Sequence, residues 1–510
     1  MTNWKHTFHS FLHPRVITML FFGFSAGIPL LLIFSSLGLW LREAGLDRSA
    51  VTFFSWAALG YSFKFVWAPI VDFIPIPFLH KQFGRRRSWI FISQITVIIS
   101  ILMMAMTDPA LGNNQLRLMA LSAVFLGFSS ATQDILIDAY RIESAPIRLQ
   151  ALMSSTYIAG YRIGMLVSGA GSLLLASFFG SEINSYNYEA WRYTYFFMAF
   201  FMLIGIMTTL LIEEPKNNKI FERKYSANTY LSFFFIFVVA ILSFIGVFLL
   251  SSEISIYLKN NLEHIINNRN LSNFIIEFLR LTLALISAVI IIIFSIKLHL
   301  VNREIFSKCY LAPISDFFQR YELKLALLLI ILISLYRISD IMLGVISNIF
   351  YQDMGFSKIE IASIVKSYGL FMTILGGFIG GVLSIRFGLM KILYIGAFLT
   401  VLTNLLFMLL STYGYNISLL YFVISADNLT AGIASAAFVA FLSRLTNISF
   451  TAMQYAIFSS LMTLIPKISA GYSGSIVESI GYTNFFLIAS ILGIPVLLVI
   501  YFTNKYLKFS

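Results

Sequence analysis

The sequence predicts an all-α membrane protein with two six-helix bundles and an inserted two-helix hairpin, fourteen transmembrane helices in total. Of its 510 residues, 59% are hydrophobic and 11% are charged, whereas soluble globular proteins average about 25% charged residues. The chain contains many apolar runs, and their lengths approach or exceed the roughly 20 residues that a helix needs to cross a bilayer. Lys and Arg collect in alternate connecting segments, as expected of loops that stay in the cytoplasm. The runs are too long for the strands of an outer-membrane barrel.

The predicted spanning segments form a group of six, a pair and a second group of six. They lie at 17–41, 50–71, 89–107, 118–140, 150–178 and 192–212, then 229–252 and 272–297, then 323–350, 358–384, 391–411, 417–443, 453–478 and 483–504. The bias of Lys and Arg predicts that both termini are cytoplasmic. The predicted domains are a cytoplasmic tail (1–16), a first bundle (17–215), linkers carrying the hairpin 229–297 (216–321) and a second bundle (322–510).

The two groups of six resemble each other at matching places. The links 41–51 and 351–361 both follow a first helix and carry Gly at the same point. The segments 159–169 and 463–474 align Arg162 with Lys467. Two six-helix halves with internal symmetry are typical of a major-facilitator transporter, which holds its substrate near the membrane midplane between the halves.

Ionisable residues inside the apolar runs are the candidates for substrate contact. The run 118–141 contains Gln133, Asp134 and Asp138, and the two acids are one helical turn apart on one face. Asp340 is a third acid inside an apolar run. The cations inside apolar runs are Lys64, Arg162, Arg337, Lys366 and Lys467. Ionisable groups at membrane depth usually face the protein interior, so this excess of positive charge predicts a cavity for an anionic substrate. The alternative for each cation is a structural ion pair or an interfacial position.

A carboxylate must carry any co-transported proton, because no histidine lies in an apolar run. Asp134 is the best candidate, with Asp138 and Asp340 as further candidates. The alternative role for Asp134 is a fixed ion pair or a substrate contact. Tyr61 and Tyr161 lie beside two of the cations and could stack on a sugar ring, although packing explains most aromatic residues at this depth.

The loop after the second predicted helix contains an acid followed by a basic cluster. The residues are Asp72, Gly84, Arg85, Arg86 and Arg87. An Asp…Gly-Arg-Arg pattern in this loop is a hallmark of major facilitators, in which it forms a gating latch at the cytoplasmic side. Here a longer insert with two prolines separates the acid from the cluster. The alternative is that the arginines only fix the topology of the chain.

Several functional classes are disfavoured by the sequence. The single Cys309 excludes an intrachain disulfide and a multi-cysteine metal site. No nucleophile elbow, zinc-protease motif or phosphate-binding loop is present, so we expect neither an enzyme nor a metal or cofactor. The net charge of +12 resides in loops rather than in a folded basic domain, so nucleic-acid binding is not expected.

Several runs resemble the AmpG muropeptide permease family of Gram-negative bacteria. They are GFSAGIPLLL (23–32), LREAGL (41–46), FKFVWAPIVD (63–72), FGRRRSW (83–89), SSATQDILIDAYR (129–141) and GYRIGMLVSGAG (160–171). The resemblance implies an inner-membrane, proton-driven importer of anhydro-muropeptides that feeds cell-wall recycling and β-lactamase induction. It maps the family's Gln-Asp pair onto Gln133 and Asp134. The hairpin at 229–297 departs from relatives that extend at the C-terminus.

Other readings stay open beside this resemblance. The rival transporter is a carrier of acetyl-CoA or another anionic solute, as in the family's eukaryotic cousins. A membrane transferase and a signalling scaffold are the readings from other classes. The expected partners are the small-molecule substrate, protons and the bilayer, and the expected state is a monomer.

Overall fold

The structure is a computed structural model that describes residues 12–46, 61, 63–76, 78–144, 146–181, 185–215, 227–266, 269–298, 300, 303–357, 360–470 and 473–507. Twenty α-helices occur in these ranges. In chain order, α1 to α20 are Pro14–Ile33, Ser35–Glu43, Ala68–Phe73, Leu79–Phe83, Arg85–Ala105, Asn113–Ser144, Ile147–Leu166, Ser172–Phe178, Tyr188–Leu211, Ala227–Leu250, Ser252–Ile266, Arg269–Lys297, Arg303–Phe306, Ala312–Leu335, Ile338–Asp353, Gly369–Phe387, Leu389–Tyr413, Ile417–Leu445, Thr451–Ala470 and Ser473–Tyr506.

Helices of membrane-spanning length and composition dominate the described ranges. Eleven helices there are long and apolar enough to cross a bilayer, or twelve if the bent pair Phe234–Phe248 and Ser252–Ile266 is one span. The predicted segment 272–297 lies in α12, whose apolar part Thr282–Lys297 is shorter than these spans. Most of the predicted segment 50–71 lies outside the described residues. The membrane-spanning α-helical class is confirmed, whereas the count of fourteen remains a prediction.

The chain divides into two compact units. One contains 1–217 and 317–510, and the other contains 218–316, where the sequence predicts the inserted segment. Inside the smaller unit, α10 and α12 pack together. The guanidinium of Arg280 lies 4.4 Å from the ring centroid of Phe248 and donates to its carbonyl oxygen at 2.7 Å. Both contacts stabilise the guanidinium within this pair of helices.

Small residues bring pairs of helices into backbone contact in the larger unit. α1 packs along α7, and a Cβ built on Gly23 or Gly160 would lie 2.1 or 2.0 Å from a backbone oxygen of the other helix. α16 packs along α18 in the same manner, with Gly376 against Leu429. Without a hydrophobic driving force between helices in lipid, such close approach supplies much of the packing energy.

The first and second groups of helices in this unit also touch each other. α7 packs against α16 and α18, and α19 packs against α3 and α6. Ser155 is fully buried at the first of these contacts, where its hydroxyl would lie 2.1 Å from a Cβ built on Gly381. We refer to residues 12–215 and 317–507 of this unit as the first and second halves.

Candidate functional site

A buried charge network, which we call the latch, joins the two halves and consists of Asp72, Arg85, Arg86, Glu143 and Thr451. Arg86 is 1% exposed. Its Nη2 donates to Asp72 Oδ1 and Glu143 Oε1, both at 2.6 Å. Its Nε donates to Glu143 Oε2 at 3.0 Å, and Arg85 adds a contact to Glu143 at 3.2 Å. Arginine suits this position because its planar fork binds two carboxylates at once.

The latch reaches across from the first half to the start of α19. Arg86 Nη2 donates to Thr451 Oγ1 at 2.6 Å, and the Thr451 hydroxyl also bonds Glu143. Asp72 Oδ2 accepts from the backbone N–H of Met453 at 3.0 Å. A carboxylate at the free amides of a helix N-terminus is stabilised by the helix dipole. The two halves are therefore held together at this end of the bundle.

A second acid, Glu214, orients the basic cluster. Its carboxylate accepts from the backbone N–H groups of Arg86 at 2.8 Å and Arg87 at 3.1 Å, which caps the N-terminus of α5. Gly84 precedes this helix with φ of 82°, and a Cβ there would lie 2.5 Å from the Glu214 side chain. Arg87 donates to the carbonyl of Thr209 at 3.1 Å. Arg87 thus binds the end of α9 rather than the opposite half.

Asp134 lies in a group of polar residues that we call the Asp134 cluster, with Lys64, Tyr61 and Tyr157. Asp134 and Lys64 are each 7% exposed, and the Lys64 charge acts on Asp134. The hydroxyl of Tyr157 donates to Asp134 Oδ1 at 3.5 Å, a long contact. Tyr61 donates to Ser130 Oγ at 2.6 Å and is thereby fixed on α6. Neither Asp134 nor Lys64 has an ion pair among the described residues, so the cluster is loosely held.

Asp138 has a different environment from Asp134, although both lie on α6. Its Oδ1 accepts from Arg141 Nη2 at 2.9 Å. Arg141 is fully buried and also donates to Ser154 at 2.8 Å and to Ser443 of the second half at 2.7 Å. Its guanidinium lies 5.2 Å from the ring centroid of Tyr455. The charge of Asp138 is therefore compensated by a fixed partner.

Two arginines from opposite halves lie near one acid, in what we call the arginine cluster: Arg162, Arg337 and Asp340. Arg337 Nη2 and Asp340 Oδ2 are 3.0 Å apart, and both side chains are 27% exposed. Arg162 interacts electrostatically with Arg337 and Asp340. Within the described ranges, Arg162 has no hydrogen bond and no ion pair. Tyr161, its neighbour on α7, lies 6.0 Å from Tyr157 between ring centroids.

The other predicted substrate residues lie outside these two clusters. Gln133 is fully buried, and its amide donates to Ser25 at 3.3 Å, so the side chain faces α1. Lys366 and Lys467 are exposed, and neither has a hydrogen bond or ion pair with any residue that the structure describes. The structure thus separates the predicted cations into two clusters and two isolated lysines.

Four functional candidates were missed by the sequence analysis: Glu143, Glu214, Thr451 and Asp427. Asp427 lies within α18, is bonded to Thr403 and interacts with Asp340. A search for acids inside apolar runs would have found it, because it lies in the predicted segment 417–443. The other three lie at or beyond helix ends, where polar residues are ordinary and give no such signal.

A groove of about 1230 Å³ lies in the first half, between α1, the end of α6 and α9. Its described lining includes Glu143 and Glu214 but none of the predicted substrate residues. The groove therefore borders the latch and is separate from the Asp134 and arginine clusters. In the described part of the chain, no group of three or more His, Cys, Asp or Glu side chains could hold a metal ion.

Similarity to known proteins covers nearly the whole chain. The model of the Major Facilitator Superfamily matches residues 15–336 and 328–508. The AmpG 4 protein of Rickettsia conorii is 30% identical over 490 residues, which is 96% of each chain. The anhydromuropeptide permease of Escherichia coli K12 is 28% identical over 98% of this chain and 82% of its own.

Two solved structures show the same fold at low sequence identity. The proton:xylose symporter XylE, bound to 6-bromo-6-deoxy-D-glucose, gives a TM-score of 0.54 at 14% identity over 98% of this chain and 96% of its own. The transporter FucP in the outward conformation gives a TM-score of 0.59 at 11% identity over 97% of this chain and 99% of its own. This confirms the predicted major-facilitator fold.

Proposed function

Since the chain belongs to the AmpG family of the Major Facilitator Superfamily, we propose that it imports anhydro-muropeptides from periplasm to cytoplasm for peptidoglycan recycling. The observation that carries this proposal is the similarity to an anhydromuropeptide permease over 98% of the chain. The chain is a multi-span membrane transporter for a small molecule. We also propose that the protein lies in the inner membrane, that both of its termini are cytoplasmic and that it is a monomer.

The charge distribution supports an anionic cargo. Muropeptides are peptide-bearing sugars with carboxylates, and Arg162 has no ion pair among the described residues. An unpaired guanidinium at membrane depth is costly until an anion binds it. In the proposal Lys64, Tyr61, Tyr161, Arg162 and Arg337 contact the cargo. Gln133, Asp134, Lys366 and Lys467 remain further candidates for this role.

The latch supports alternating access. We place it at the cytoplasmic side because Arg85, Arg86 and Arg87 lie in a strongly basic loop. With the latch formed, the halves are held together there, and the cargo site opens toward the periplasm. Release into the cytoplasm then requires Arg86 to part from Thr451 and Asp72 from Met453.

Proton coupling is assigned to Asp134 first, with Asp138 and Asp340 as secondary candidates. Asp134 is bonded only weakly by Tyr157, at 3.5 Å, and has no described ion pair. A carboxyl group in that position can exchange a proton when its neighbours move, whereas Asp138 is bonded to Arg141. We expect Asp134→Asn to abolish uptake driven by a pH gradient and to spare counterflow, since counterflow needs no net proton transfer. Loss of both would make Asp134 a substrate contact instead.

The rival cargo is acetyl-CoA or another anionic solute, which the same positive charge would attract. Purified protein in proteoliposomes should take up labelled anhydro-muropeptide saturably, and an acid-outside pH gradient should increase the uptake. Labelled acetyl-CoA is the parallel substrate, and liposomes without protein are the control. Saturable uptake of acetyl-CoA without any of muropeptide would overturn the proposed substrate.

A further inference from the structure

We propose that Arg162 and Arg337 together bind one carboxylate of the cargo's peptide stem and that this carboxylate connects the two halves of the transporter. The inference rests on the proposed function and deepens it, because it specifies which chemical group of the cargo is recognised and by which side chains. The three charged groups of the arginine cluster carry it.

The position of the arginine cluster is suited to a cargo site. Arg162 lies near the middle of the spanning stretch Leu149–Phe178. Arg337 lies at a break between α14, which ends at Leu335, and α15, which begins at Ile338. Breaks of this kind in transporter helices commonly form substrate sites near the midplane, where a half-helix N-terminus faces an anion. No side chain caps the N-terminus of α15, so its first amides add to the positive potential.

The charges of the cluster do not balance. Arg337 is paired with Asp340, whereas Arg162 interacts with both and is bonded to neither. The next carboxylate, Asp427, bonds Thr403 and interacts with Asp340, and it supplies no ion pair to Arg162. Arg162 is therefore a guanidinium without an ion pair at this point, within the described residues.

The other membrane-depth cations that lie in clusters suit a carboxylate less well. Lys64 acts on Asp134 and carries an ammonium group, which has no planar fork. Arg141 already donates hydrogen bonds to Asp138, Ser154 and Ser443. A carboxylate arriving from solution gains most where a guanidinium has free donors, because the planar fork can make two parallel hydrogen bonds to it. That place is Arg162.

The two arginines belong to different halves, which gives the bound carboxylate a second consequence. Arg162 lies on α7 of the first half, and Arg337 lies at the start of α15 in the second. An anion bonded to both neutralises their mutual repulsion and favours the state in which the halves are close. A ligand shifts a conformational equilibrium only through such differential contacts.

The test is a cycle that combines a change in the protein with a change in the ligand. Purified protein is titrated with an anhydro-muropeptide that has free stem carboxylates, and with the same compound after their conversion to carboxamides. The wild type should bind the amidated compound about 10- to 100-fold more weakly, since a hydrogen bond to a charged group contributes about that factor. In Arg162→Gln, and in Arg337→Gln, the two compounds should differ by less than about threefold.

A matched control is Arg192→Gln. Arg192 is a partly exposed arginine that pairs with Glu189 at the start of α9, and this variant should discriminate between the two compounds as the wild type does. If a glutamine variant fails to fold by thermal melting, Arg162→Lys replaces it. Lysine keeps the positive charge but lacks the planar guanidinium, so this variant should lose part of its preference for the carboxylate compound. Full retention of that preference would overturn the proposal that Arg162 makes two hydrogen bonds to the carboxylate.

The possible failures are distinguishable. A wild type that binds neither compound refutes the proposed muropeptide function. A wild type that binds both equally well refutes the carboxylate site but not the function. Full discrimination in folded Arg162→Gln and Arg337→Gln overturns the assignment of these two residues.

Discussion

Replacing Asp72 with Asn should open the end of the bundle that the latch closes. The amide has the shape of the carboxylate and still accepts from the N–H of Met453, so the loss between the halves is the negative charge at the N-terminus of α19. Asp72 is 3% exposed, so solvent screens this charge little. Arg86 keeps its bonds to Glu143, which limits the damage.

The size of the effect follows from the single lost interaction. A carboxylate at a helix N-terminus contributes about 0.3–2 kcal/mol, and 1.4 kcal/mol corresponds to a factor of ten, so the open population should rise about 2- to 25-fold. The contact between Asp72 and the N-terminus of α19 joins the halves, so it is absent when they separate. The wild-type latch would then keep the closed state dominant, and the variant would open measurably more often.

Thiol labelling measures this opening. The chain has a single cysteine, Cys309, so a Cys309→Ser background accepts one reporter. Ser155→Cys is suitable because Ser155 is fully buried between α7 and α16. The rate of maleimide labelling should rise by the stated factor in Asp72→Asn. Glu189→Gln, which removes an exposed pair worth little, is the control and should leave the rate unchanged. An unchanged or slower rate in Asp72→Asn would refute the assignment of the latch.

Two further predictions concern stability. Asp427→Asn should raise the free energy of unfolding on the order of 1 kcal/mol, because the amide keeps the bond to Thr403 and removes the repulsion with Asp340. Melting temperatures of the two proteins measure the gain, and an unchanged or lower value in Asp427→Asn would contradict this reasoning. Gly376→Ala should lower stability by about 1–3 kcal/mol through overpacking, because its Cβ would lie 2.1 Å from a backbone oxygen. Gly377→Ala is the control and should keep the stability of the wild type, because a Cβ at this position would have no atom within 4 Å. Equal melting temperatures of the two variants would contradict the prediction for Gly376→Ala.

Much of the fold followed from local sequence. The predicted segments 391–411 and 417–443 correspond to α17 and α18, which are Leu389–Tyr413 and Ile417–Leu445. This agreement has a simple cause, since the bilayer thickness requires each spanning run to be apolar over about 20 residues. The predicted segment 323–350 contains a helix break that the sequence did not predict, because α14 ends at Leu335 and α15 begins at Ile338. Neither Pro nor Gly marks that break in the sequence.

The candidate site was predictable as a set of residues but not as a set of partners. Charges inside apolar runs identified Asp134, Asp138, Arg162 and Arg337 from composition alone, since burial of such groups is costly wherever the run lies. Which acid is fixed by a cation depends on neighbours one turn away and on other helices. Asp138 obtains Arg141, while Asp134 has only the weaker influence of Lys64.

By itself, then, the sequence determined the membrane-spanning helical class and the ionisable residues at membrane depth, because both depend on the transfer of single segments from water. Only the tertiary structure decided which charges meet. Arg86 bonds Thr451 across 365 positions of the chain, and Glu143 and Glu214 lie at helix ends where an acid is unremarkable. Hydrogen bonding is short-ranged, so a partner so distant in sequence becomes relevant only when packing brings the helices together.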